Sequence, residues 1–281
     1  MKNISKILSK QRTISFEFFA PKELAGQEQL LQSIKEINLD KLSFISVTYS
    51  VKKNSGPTDL IVEKISNETL IPVMPHLTCI THSKNEIDAI IEQYQKKSIS
   101  NILALRGDIP DTGQFSKKDF ENALELVSYL RNKTNLDISV AAHPEGHPDA
   151  TDAESDFLYQ MQKIQASDFA ITQFFFEPSY YFDFMEKLYK KGNKKPVLPG
   201  IMPPTNSDAL VRMAKINGSH IPNSIIKKLS SLKDRKAKED FAKEIVLDLA
   251  DKLISNGAPG VHLYTMNNVA LSEQILNEIE F

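Results

Sequence analysis

A glutamate sits inside an aromatic run near the start of the chain, ISFEFF, residues 14–19. In an extended segment successive side chains point to opposite faces, so Ile14, Phe16 and Phe18 share one side and Ser15, Glu17 and Phe19 the other. A carboxylate among such neighbours is costly unless it meets water, a partner group or a substrate. Other groups able to do chemistry close similar apolar runs: Thr48 and Tyr49, then His76 and Thr78, then Arg106, Gly107 and Asp108. Further on come His143, Glu145 and His147, then Gln173, and finally Tyr264 and Asn267. Singly, each has a plain structural explanation. A lone histidine is commonly a hydrogen-bonded core residue, Asp108 before Ile-Pro can close a turn, and Gln173 can satisfy backbone groups. Stability alone gives them no reason to recur at the ends of successive apolar runs.

Two common chemistries fit poorly. His143 and His147 have helical spacing, and with His76 and Asp108 they could be drawn as a metal site. Pro144 and Pro148 make a helix there improbable, and no H-E-x-x-H occurs, so no metal is expected. A serine nucleophile lacks its G-x-S-x-G elbow.

The elements that must position these groups are legible as eight runs. They are ISFEFF (14–19), FISVTY (44–49), PVMPHLTC (72–79), NILALRG (101–107), DISVAAH (137–143), FAITQFF (169–175), PVLPGI (196–201) and GVHLYTM (260–266). Helical periodicity fills the gaps. Leu30, Leu31, Ile34 and Ile37 form one stripe, and Ile87, Ile90, Ile91 and Tyr94 another. A third amphipathic segment opens at Ser116, a suitable N-cap. Strand then helix, eight times and without hairpin signals, implies parallel pairing through right-handed crossovers. The expectation is an α/β fold, a single (β/α)8 barrel spanning residues 1–281, with at least two extra helices between strands seven and eight. An open doubly wound sheet is the alternative, but its usual G-x-G-x-x-G turn is absent. In a barrel the chemistry belongs at the C-terminal strand ends, where the polar groups above fall. The basic stretch LYKKGNKKP (188–196) reads as a solvated turn before strand seven.

Bulk properties exclude several classes. With 41% hydrophobic and 25% charged residues and a net charge of −2, no basic field points to nucleic acid or to an anionic membrane. One cysteine, Cys79, allows neither an internal disulfide nor a thiolate cluster, which suits a reducing, cytoplasmic setting. The first residues, MKNISKILSKQRT, lack the apolar core of a signal peptide, and no stretch approaches a membrane span. Five arginines against 29 lysines make Arg106, at a strand end, conspicuous.

The segments SFEFFAPK, FISVTY, PHLTC, NILALRGD, DISVAAHPEGHPDA, AITQFFF, LPGIMP and HLYTMN fall in order along nearly the whole chain. In this they closely resemble the short bacterial 5,10-methylenetetrahydrofolate reductases. The resemblance implies an FAD-containing barrel of one-carbon metabolism and methionine biosynthesis. NAD(P)H reduces the flavin and leaves, and 5,10-methylenetetrahydrofolate then takes its place and is reduced to 5-methyltetrahydrofolate, in a ping-pong sequence. Carried residue by residue, Glu17 is the general acid. Thr48, Tyr49, His76, Arg106, Gly107, Asp108, His143, His147, Asp156 and Lys163 contact the flavin, its ribityl chain or its phosphates. Asp108, Gln173 and Thr48 face the folate, Gln173 also the nicotinamide, and Asp108 supports the cationic iminium. Apolar walls at Phe16, Phe18 and Phe19 are expected to raise the Glu17 pKa so that it keeps its proton. Arg106 and Lys163 are the expected phosphate partners. A homo-oligomer is also implied.

Three departures stand out. Asn268 replaces the arginine of the family pattern H-F-Y-T-L-N-R and brings no positive charge to a glutamate tail. IQASDF is one residue shorter than the usual segment before strand six, and His143 stands where a tyrosine is common. Two other functions stay open: a related flavoprotein acting on another folate or iminium, and a non-catalytic barrel that binds folate or flavin.

Overall fold

The computed structural model of the protein describes residues 3–49, 56–109 and 119–280. Its strands are β1 (Thr13–Phe18), β2 (Phe44–Val47), β3 (Val73–Thr78), β4 (Asn101–Leu105), β5 (Asp137–Ala142), β6 (Phe169–Phe174), β7 (Val197–Ile201) and β8 (Gly260–Tyr264). Each pairs in parallel with the next, and β8 pairs with β1, so the sheet closes into a barrel. A helix α1 (Ile4–Leu8) precedes β1. Helices α2 (Leu24–Glu36), α3 (Pro57–Glu68), α4 (Lys84–Lys96), α5 (Ala123–Lys133), α6 (Ala153–Ala166) and α7 (Pro178–Lys190) follow β1 to β6 in turn. Between β7 and β8 lie α8 (Ser207–Asn217), α9 (Asn223–Ser231) and α10 (Arg235–Ser255), and α11 (Val269–Glu278) follows β8. The eight apolar runs are the eight strands, and the alternative open sheet is overturned by the β1–β8 pairing.

Strands covered on both faces must be apolar nearly throughout, which is why each run reads as continuous rather than alternating. On β1, Phe16 and Phe18 pack outward into the shell between sheet and helices, beside Leu30, Leu31 and Ile34 of α2. Ser15 and Glu17 therefore turn inward. The polar loops leaving the strands are pinned where the next helix starts. Ser83 and Glu86 form a reciprocal capping box on α4, Asn122 caps α5, and Asp152 accepts from the amides of Glu154 and Ser155 at α6. The helix expected from Ser116 begins at Ala123, and Ser116 lies outside the described residues.

Two features exceed the expectation. Helix α1 closes the N-terminal end of the barrel: Ile4 and Leu8 pack on Phe44, Met74, Leu103, Phe169, Ile171 and Leu198. Its first amides are satisfied by the barrel itself, Ile4 N donating to Asn101 Oδ1 at 3.0 Å and Ser5 N to Asp137 Oδ2 at 2.7 Å. Helix α9 is a third insertion helix, and its Ile225 and Leu229 join Phe174, Phe176, Met202 and Leu210 in a small apolar cluster. No helix among the described residues is long and apolar enough to cross a membrane.

Candidate active site

Glu17 is the buried acid of the mouth, 6% exposed. Its neighbours come from across the barrel rather than from its own strand. Glu17 Oε2 lies 3.3 Å from His76 Nε2 on β3 and 3.5 Å from His262 Nε2 on β8. Its backbone carbonyl accepts from Thr265 Oγ1 at 2.5 Å, which fixes the strand beneath it. The expected apolar walls are not there: Phe16 and Phe18 face outward, and Phe19 lies past the strand, 38% exposed. The direction of the expected pKa shift is overturned with them. Burial pushes the Glu17 carboxyl up, but the charge of His76 and the contacts of His262 and His76 more than offset this and bring it down to about 2.

His262 was missed at the level of sequence. It is fully buried, with Nδ1 2.7 Å from Ser15 Oγ and Nε2 3.3 Å from Ser46 Oγ. Phe44 stacks on its ring at 5.8 Å. Burial pushes its pKa down, Glu17 opposing. The signal existed: the same period of two that turns Glu17 inward on β1 turns His262 and Tyr264 inward on β8. Tyr264 donates to the Thr172 carbonyl at 2.8 Å, and its ring occupies the space a side chain at Gly200 would need.

A second group of polar residues surrounds the exits of β4 and β5. Lys163, on α6, is 7% exposed; burial pushes its pKa down to about 8, Asp156 opposing and Arg106 adding to the fall. His143 and His147 pack edge to face at 4.7 Å. Burial, with the positive charge of Lys163, holds His143 down at about 3. Asp156 Oδ2 accepts from His147 N at 3.1 Å and from Gln160 Nε2 at 2.8 Å, so it pins the loop that carries the histidines. Arg106 reaches Asp149 at 3.0 Å. Gly107 has φ +82° and sits so close to Thr78 that an added Cβ would meet Thr78 Cβ at 2.7 Å, so only glycine fits.

The remaining expected residues are placed as follows. Thr48 Oγ1 accepts from Ala20 N at 3.3 Å, tying the exits of β1 and β2. The Tyr49 hydroxyl meets His82 Nε2 at 2.9 Å. Gln173 stands at an irregularity in the β6–β7 pairing, where its Oε1 accepts from Phe174 N. Asp108 is exposed at the β4 exit. Asn267 bonds both backbone groups of Phe19 at 2.9 Å, while Asn268 caps α11 and donates to Glu239.

Among the described residues two buried side-chain nitrogens lack a hydrogen-bond partner, His143 Nδ1 and His76 Nε2, which has Glu17 Oε2 at 3.3 Å as an ion-pair neighbour. Buried polar atoms are rarely left so, and His143 Nδ1, near the charges of Lys163 and Arg106, suits an anionic, nitrogen- and oxygen-rich ligand. Among the described residues no group of three or more His, Cys, Asp or Glu is placed to hold a metal ion.

A family model described as methylenetetrahydrofolate reductase matches residues 2–280. A 5,10-methylenetetrahydrofolate reductase of Pectobacterium carotovorum subsp. carotovorum is 35% identical, over 95% of this chain and 89% of its own. Its counterpart in Escherichia coli (strain K12) is 34% identical, over 96% of this chain and 91% of its own. Among solved structures, an uncharacterized Clostridium thermocellum protein that binds two copies of 5-methyl-5,6,7,8-tetrahydrofolic acid shares the fold, with TM-score 0.66 over 98% of each chain at 15% identity. With a family model covering almost its whole length and relatives this similar end to end, the chain belongs to the methylenetetrahydrofolate reductase family of oxidoreductases.

Proposed function

We propose that this chain, as one catalytic domain, reduces 5,10-methylenetetrahydrofolate to 5-methyltetrahydrofolate, with FAD as cofactor and NAD(P)H as electron source. The observation that carries the reading is Glu17, an inward carboxyl at the barrel mouth held against two histidines. The substrate holds its one-carbon unit in a ring between two nitrogens, and protonating one nitrogen opens the ring to an iminium that accepts hydride. Glu17 is the group we assign to that protonation.

The low pKa of Glu17 is compatible with this role because, against the upward push of burial, its largest lowering cause is the charge of an adjacent imidazole, His76. Glu17 and His76 form a pair that can share one proton. Drying the mouth disfavours two separated charges and favours the uncharged arrangement, with the proton on the carboxyl. Asp108, at the mouth, would stabilise the cationic iminium, and Gln173 and Thr48 would orient the folate.

FAD, when bound, supplies the hydride chemistry. The residues fit such a group. Lys163 and Arg106 would take its phosphates, His76 would line its ring, and His143 Nδ1 would gain the partner it lacks. Tyr49, His147 and Asp156 would complete the wall, with Gly107 leaving the β4 exit bare of side chain.

An anaerobic two-step experiment tests the proposal. Protein loaded with FAD should bleach on adding NAD(P)H and regain its colour on adding 5,10-methylenetetrahydrofolate. Failure to take up FAD, or bleaching with no recovery, would overturn it. Recovery only with a different iminium would move the chain to another substrate.

A further inference from the structure

His262 has no place in the steps above, yet few side chains in the barrel are tied so closely. It is inaccessible to solvent, and each ring nitrogen faces a hydroxyl. Ser15 is its register partner on β1, two residues below Glu17 on the same inward face. We infer that His262 is a positioning residue for Glu17: Ser15 holds the ring as its Nε2–H tautomer, and that nitrogen, 3.5 Å from Glu17 Oε2, stabilises the carboxylate left when the acid has given up its proton.

The tautomer follows from the contacts. The Ser15 hydroxyl has one proton and two acceptors, His262 Nδ1 at 2.7 Å and the Val261 carbonyl at 3.4 Å, and the shorter contact takes it. Nδ1 is then an acceptor, and the ring proton sits on Nε2. Nε2–H faces Ser46 Oγ at 3.3 Å and Glu17 Oε2 at 3.5 Å. The reverse tautomer would set the lone pair of Nε2 against those of the carboxylate. The groups that bear charge or titrate around the ring are Glu17 from β1, His76 from β3 and Tyr264 from β8. Tyr264 is already spent on the Thr172 carbonyl. His76 is the one with a nitrogen still unmatched, so His76 exchanges the proton and His262 only steadies the charge.

The inference rests on the donor role proposed for Glu17, but its test reads the carboxyl directly, with no folate or flavin added. Infrared difference spectra against Glu17→Gln isolate the Glu17 carboxyl band across a pH titration. In His262→Leu, which removes the donor, the midpoint should shift upward by about one pH unit. In His262→Gln, whose amide N–H reaches from nearly the same place, it should stay close to wild type. A His262→Leu midpoint equal to wild type, or a His262→Gln shift as large as that of leucine, overturns the inference. Should His262→Leu fail to fold, nitrogen-15 NMR of His262 decides. The wild type should show Nε2–H and Ser15→Ala should lose that preference, whereas Nδ1–H in the wild type overturns the assignment. Absence of folate reduction in the wild type would refute the donor role of Glu17 and leave this contact to be judged by the titration alone.

Discussion

At the scale of single residues the proposed site separates into a proton-handling group and an anion-binding group, and on that proposal each can be broken without the other. Glu17→Gln keeps the shape of the side chain and removes its acidity. It should abolish reoxidation of the flavin by methylenetetrahydrofolate, a loss of at least about a hundredfold, while NAD(P)H oxidation with an artificial acceptor stays within a few-fold of wild type. Equal loss in both assays would refute the acid role. Lys163→Met retains the bulk of a buried side chain and deletes a cation that now crowds Arg106. FAD binding measured by fluorescence quenching should weaken by tenfold or more, and riboflavin binding should change far less, because riboflavin carries no phosphate. Glu17 was legible in sequence because an acid in an aromatic run has no cheap explanation. Its surroundings were not. The flanking phenylalanines are its neighbours in the chain, but a closed sheet gives an inward side chain neighbours from other strands, here β3 and β8. His262 escaped notice for the converse reason, since a lone histidine in an apolar run reads as ordinary core.

At the scale of elements, the alternation of apolar runs and helical stripes was enough to identify all eight strands within one or two residues. The reason is physical: a strand buried on both faces and a helix buried on one leave different periods in the sequence. The short elements left no such trace. Helix α1 has five residues, too few for a stripe, and α9 shows a single Ile225–Leu229 pair before Leu232. Yet α1 seals one end of the barrel, with Ile4 fully buried there. Ile4→Ala should cost about 3 kcal/mol in urea unfolding, in the range of large-to-small core changes. The proposed site lies at the other strand ends, so FAD affinity should be unchanged. A variant that unfolds as readily as wild type would show that the plug carries no stability.

At the scale of the whole molecule, the buried titrating groups couple stability to pH. Unfolded, His143 titrates near 6.5, whereas burial holds it at about 3 in the folded protein. Between those values the unfolded chain binds more protons, so stability is full above pH 6.5 and drains away as pH falls toward 3. From pH 7 to 5 the loss from His143 is about 2 kcal/mol. Glu17 adds to it at lower pH, because its folded value of about 2 lies under the unfolded 4.5. His143→Gln should therefore flatten the decline in Tm between pH 7 and 5, measured without added flavin; a decline as steep as that of wild type would refute the assignment. The plug has its own bearing on acid chemistry. With α1 stoppering the floor of the barrel, supply and exit share one doorway. On the proposed function, an occupant that fills the doorway also isolates the Glu17–His76 pair from the bulk, so a proton given up there would be replaced only after the product has gone. Turnover on that reading would be rationed to one donation per visit.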